Sequence, residues 1–121
     1  MEYQPIDIHD KFLLFEDHWS PKIIGKLNNY YIKVAKVEGH FTWHQHDDTD
    51  EVFIVINGDL RIDFRDGSLN LTKGQMFIVE KGKEHKPYAE KECEILLLEP
   101  DTTLNTGNVK DEFTKEILEW I

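Results

Sequence analysis

His44 and His46 stand one residue apart in "GHFTWHQHDDTDEVFIVINGDL" (residues 39–60), Glu51 follows a few residues on, and His85 comes later in "GQMFIVEKGKEHKPY". Imidazoles and carboxylates are donors that first-row divalent metals accept. Side chains alternate along an extended chain, so His44 and His46 share one face with Thr42. Glu51 opens the next apolar run and can face the same interior, and His85 begins another extended stretch after a Gly-containing turn at 81–84. Buried without partners, such groups cost roughly 1–3 kcal/mol each. A metal ion would partner all four. Taken alone, a His-x-His pair also suits a solvated surface, and its spacing leaves that alternative open. Three imidazoles and one carboxylate, with no thiolate, suit Fe, Mn, Ni or Co, with Zn possible.

Short extended segments have to position these residues. Residues 30–37, 51–56, 60–64, 68–72, 76–80 and 93–99 are rich in β-branched, aromatic and other apolar side chains. Asn57-Gly58 and Asp66-Gly67 between them are hairpin signals. Six short strands at close spacing predict an all-β antiparallel sandwich or barrel. In "LRIDF" only Leu60, Ile62 and Phe64 share an apolar face, with Arg61, Asp63 and Arg65 turned to solvent. "EVFIVIN" and "EILLLE" are apolar on both faces, so they need cover from a terminal segment or a second subunit. A homodimer is the expected cover, with the terminal arms as its competitor.

Composition narrows the function classes. The 121 residues predict one domain with a single core. A net charge of −10 argues against nucleic acid or an anionic membrane surface, both of which need a cationic face. No window approaches a membrane span, and "MEYQPIDIHDK" lacks the basic-then-apolar pattern of a signal peptide. The one cysteine, Cys93, excludes an internal disulfide and a thiolate-rich zinc site. A cytoplasmic location is expected.

Gly39, His44, His46, Glu51 and Gly58 form a pattern that resembles the first motif of the cupins, with the spacer before His44 one residue shorter than usual. Gly74, Gly82 and His85 resemble the second, although Glu80 stands where that family has Pro and Ala89 where it has Asn. The motifs span residues 30–99, leaving an N-terminal arm (1–29) and a C-terminal tail (100–121). Their 15-residue gap between Gly58 and Gly74 looks like that of small bacterial single-domain cupins. The resemblance implies an antiparallel double-stranded β-helix, a jelly-roll barrel, with a divalent metal held by His44, His46, Glu51 and His85. Cupins with this ligand set include dioxygenases, oxalate-handling enzymes and sugar isomerases or epimerases. The implied partner is a small polar or anionic molecule. One barrel hosts many chemistries, so a metal-dependent enzyme stands beside a metal-containing binding or sensor protein and a metal-free scaffold.

No second base stands out near the ligands. Thr42, Tyr30 and Tyr31 read as barrel packing, and Arg61 and Arg65 alternate outward. His9 and His18 lack ligand spacing, and His40 lies roughly 13 Å of strand from His44. Asp47, Asp48 and Asp50 lack the frame of a calcium loop and read as a solvated turn. Cys93 reads as a small buried hydrophobe. Phe113, Ile117 and Ile121 recur at helical spacing, yet the tail could equally run extended along the barrel, with Trp120 as an anchor.

Overall fold

The computed structural model describes residues 2–121. After one short helix, α1 (Ile8–Phe12), come β1 (Lys22–Leu27), β2 (Tyr30–His40), β3 (Glu51–Asn57), β4 (Asp59–Phe64), β5 (Gly67–Thr72), β6 (Met76–Val79), β7 (His85–Pro100) and β8 (Glu119–Trp120). The fold is therefore all-β, as its β-branched runs predict. Among the described residues no helix is long and apolar enough to cross a membrane.

β7 organises the sheet. One edge pairs with β2 from Tyr30↔Pro100 to His40↔Tyr88. On the other edge β3 pairs with its C-terminal half and β4 with its N-terminal half, both antiparallel. The path runs β5-β4-β7-β2-β1-β8, with β6 beyond β3, and does not close. Its inner face holds one cluster, including Ala35, Val37, Phe53, Val55, Leu60, Ile62, Cys93 and Ile95.

Asn57-Gly58 is not a hairpin turn. β3 and β4 do not pair with each other; they follow end to end along β7. Gly58 takes φ +100°, and a Cβ there would lie 3.1 Å from Cys93 Cα. The glycine lets a nearly continuous strand kink past β7 where Glu90, Lys91 and Glu92 swell outward. At Asp66-Gly67 the expected hairpin does form, pairing Phe64 with Gly67.

The outer face of the sheet carries two apolar rows across β6, β3, β7 and β2. One is Met76, Ile54, Leu96 and Val34, and the other is Ile78, Val52, Leu98 and Ile32. The N-terminal arm covers the β2 end, where Phe12 and Phe15 pack with Ile24 and Val34 and against Ile32, Ile56 and Leu96. At the β6 end Met76 is 59% and Ile78 46% exposed, so the arm covers only part of this face.

The C-terminal tail forms no helix. Residues 109–118 are turns, bends and irregular chain, and β8 adds to β1 in parallel, with Ile23 opposite Trp120. Tertiary contacts override the periodicity: Phe113 joins Trp19 and Phe41, Ile117 is exposed, and Ile121 packs with the arm. Trp120 meets the Tyr31 ring edge-on at 5.6 Å.

Candidate metal centre

Past the end of β2, residues 41–46 run beside the start of β7. Phe41 N donates to Pro87 O, His44 and His85 exchange both backbone hydrogen bonds (3.0 and 2.8 Å), and Gly82 N donates to His46 O. This is a loosely held extended segment rather than the strand that alternation predicts, with a single bridge at His44. The alternation still operates, because His44 and His46 are buried while Trp43 and Gln45 between and before them are only partly so.

The structure brings all four sequence-selected residues together. One donor atom from each of His44, His46, Glu51 and His85 lies within 4.8 Å of the others, and all four residues are buried. Glu51 Oε1 sits 3.3 Å from His46 Nε2 and 3.4 Å from His85 Nε2. None of these three buried atoms has a hydrogen-bond partner. The opposite ring nitrogens are occupied: His44 Nδ1 lies 2.9 Å from Thr42 O and His85 Nδ1 2.8 Å from Lys83 O. Backbone carbonyls thus take the Nδ1 protons and leave Nε2 of each ring free as a donor, the arrangement that orients imidazole toward a metal. A cation suits this donor set.

Electrostatics agree with that chemistry. Burial, and then the neighbouring His85, push His44 down to about 4, so its ring is neutral at ordinary pH. Burial also works against a charged His46, but Glu51 outweighs it and raises the group. Glu51 would be raised by burial, yet His46 and His85 hold it well below the usual carboxylate range.

Sequence reasoning missed two further parts of the site. First, Lys33 on β2 and Glu99 on β7 are each 1% exposed, with Lys33 Nζ 2.7 Å from Glu99 Oε1. Burial and the nearby Glu51 push Glu99 up to about 8 despite the lysine. Their only sequence signal is parity, since Lys33 alternates with Ala35 and Val37, and Glu99 with Ile95 and Leu97. Second, "LNTGNV" (104–109) closes over the ligands. Asn108 accepts from Gln45 N through Oδ1 and donates from its own N to Gln45 O. Gly107 lies against the His44 ring.

A cavity of about 40 Å³ adjoins His44 and Glu51, with Glu99 also in its wall. The rest is mostly apolar, including Trp19, Phe41, Phe53 and Ile95. Trp19 stacks on Phe41 at 4.7 Å, and Phe113 packs against both rings.

Other eye-catching residues stay outside. Tyr30 is exposed and Tyr31 packs on Trp120. Arg61 stacks over Tyr88 and Arg65 over Trp43. His18 pairs with Glu92, His40 with Lys86, and His9 is exposed. Asp47 accepts a hydrogen bond from the Gln45 side chain, and Asp50 accepts one from Lys81 N in the turn before β7.

A sheet wound around β7, with three histidines and a glutamate at one end of its inner face, defines a class of protein, and residues 30–99 match the family model of the cupin domain. The chain belongs to the cupin family. A cupin-2 domain containing protein from Shewanella frigidimarina has a crystal structure 54% identical in sequence, with a TM-score of 0.78 over 78% of this chain and 93% of that one. The Bacillus subtilis protein YdbB is 36% identical over 64 residues, 52% of this chain; the match spans only 57% of YdbB. A hydroquinone 1,2-dioxygenase from Sphingomonas sp. TTNP3 is similar in fold alone, at 17% identity and TM-score 0.63 over 83% of this chain and 81% of that one.

Proposed function

We infer that this cupin binds one first-row divalent metal through His44, His46, Glu51 and His85 and acts as a metal-dependent enzyme on a small molecule. The supporting observation is the convergence of His46 Nε2, His85 Nε2 and Glu51 Oε1, three buried atoms without partners, beside the neutral His44. A bound ion supplies a Lewis acid and a template for an oxygen-bearing ligand. With three neutral imidazoles and one carboxylate it keeps a charge of about +1, which attracts anionic or enol-type head groups. The apolar wall then receives the rest of the ligand. As it stands the cavity admits about three water-sized groups, so a larger ligand has to displace part of the Trp19–Phe41–Phe113 roof.

That roof also favours a second reading, a binding or sensor protein without turnover. Both readings need an open coordination position, which the cobalt-substituted protein reports in its visible spectrum. Weak bands that shift with millimolar oxalate, citrate or azide are expected. Intense tetrahedral bands indifferent to these anions would mean a closed structural metal and end both readings. Turnover in a screen of carboxylate, keto and phenolic compounds then separates enzyme from sensor.

The assembly proposed is a homodimer through the two outer apolar rows, since Met76 and Ile78 lie beyond the reach of the N-terminal arm. A reducing cytoplasm suits a chain whose one cysteine is a buried free thiol.

A further inference from the structure

We propose that Lys33 and Glu99 form a positioning pair for Glu51, holding that carboxylate in the orientation the metal requires; this rests on the metal reading above. The ladder between β3 and β7 pairs Val52 with Leu98. Continued by one step, that register would set Glu51 across from Glu99, and both side chains are buried in the wall of one cavity on the inner face of the sheet. The two carboxyl groups line the same small cavity. Lys33 Nζ holds Glu99 Oε1 at 2.7 Å, while Glu99 Oε2 is a fourth buried polar atom without a partner, beside the three that face the metal position. Glu51 Oε1 thus lies 3.3 Å from His46 and 3.4 Å from His85, and the same cavity wall carries a carboxyl group that a lysine fixes.

Stability does not account for this pair. Taking a lysine and a glutamate out of water costs several kcal/mol per ion, and apolar residues of similar volume commonly serve a core as well or better. The neighbours on the same strands, Ala35 and Val37 on β2 and Ile95 and Leu97 on β7, show that this face accepts apolar side chains. What an apolar pair cannot do is meet a carboxylate. A metal-bound glutamate has three rotatable bonds, and its orientation is set by the groups that contact it beyond the metal. Lys33 also places a positive charge 2.7 Å from Glu99, in a cavity wall that carries two carboxyl groups.

The test uses the Lys33→Met/Glu99→Leu double variant, which removes both polar groups together and leaves neither without its partner. The proposal expects a melting temperature of the metal-free protein within a few degrees of wild type. It also expects zinc or cobalt affinity, by chelator competition, about 10- to 100-fold weaker and a changed cobalt spectrum. Glu99→Gln serves as the conservative variant, because its amide still accepts from Lys33 and can donate to Glu51. It should bind metal within about threefold of wild type and keep the wild-type spectrum. Wild-type affinity and spectrum in the double variant would reduce the pair to core structure and overturn the proposal. So would a tenfold loss in Glu99→Gln, a measurement that stands if the double variant fails to fold. Wild-type protein that takes up no metal would overturn the metal reading itself and this proposal with it, a result distinct from either variant's.

Discussion

Gly107 lies so close to the His44–Gln45 backbone that a Cβ at this position would fall 2.1 Å from Gln45 O and 3.3 Å from His44 Cδ2. Its φ of +57° adds a conformation that side chains resist. Gly107→Ala must therefore push the "LNTGNV" segment off the ligand strand. Strain and overpacking together should cost on the order of 3 kcal/mol, or roughly 10 °C in melting temperature. Metal content should fall with it, because His44 and His46 flank Gln45, the residue that the added Cβ would strike. Unchanged melting and metal content would show that the segment is not part of the site.

Removing the ligands tests the centre more directly. The His44→Ala/His46→Ala double variant should lose metal to below about a tenth of wild-type occupancy, and wild type should melt higher with metal than without. Elemental analysis and thermal scans check both. Equal occupancy in variant and wild type would remove the four-residue site from consideration.

Proton release gives an independent signature. In the metal-free protein Glu51 raises His46, so this ring keeps its proton to a higher pH than an isolated imidazole, whereas His44 is already neutral above about 4. A raised imidazole stabilises the metal-free fold fully below its unfolded pKa, and that contribution is lost as pH rises through the folded value. Metal binding has to expel the same proton. Below the folded value, log affinity should therefore climb by at least about one per pH unit. Calorimetry in two buffers of different ionisation enthalpy counts the protons, and a count near zero at pH 6 would contradict the assignment.

Cys93 is fully buried, and burial first, then the nearby Asp59 and Glu94, push its thiol up to about 12. A disulfide reagent should leave native protein unlabelled at pH 8 and label one thiol on unfolding. The stability sign follows: this group's contribution is complete below the unfolded value of 9.0 and is lost as pH rises from there through about 12. Rapid labelling of native protein would refute the burial.

Ile78→Lys places a charge at the open end of the outer apolar rows. Wild-type protein should scatter light as a dimer at tens of micromolar, and the variant should be a monomer with a similar melting temperature. A monomeric wild type would mean that the arm of Phe12 and Phe15 is cover enough.

The candidate site was legible where local spacing carries the geometry. Alternation sets His44 and His46 on one face, and the spacing of the glycines, Glu51 and His85 that resembles the cupin motifs turns that pair from a surface reading into a metal site. Gly58 was misread for the opposite reason. Asn-Gly is the same local signal for a hairpin and for a kink, and what decides between them is Cys93, a contact distant in sequence. Lys33 and Glu99 escaped notice because a charged residue in a strand ordinarily marks the solvent side; only a partner 66 positions away makes the inward side tolerable. Phe113 and Ile121 kept a helical rhythm that counts for little once β1 offers its edge to β8.

β7 hydrogen-bonds to β2, β3 and β4 alike, and it follows all of them in sequence. The chain therefore has little to gain from settling early. A nascent polypeptide that ends before residue 85 lacks the shared neighbour for three strands and the last of the four donors as well. Pairings this remote delay folding toward the millisecond-to-second range. A metal held by these four residues would consequently have no nest to occupy until the sheet has formed, and its loading should come after synthesis, as a late step in maturation.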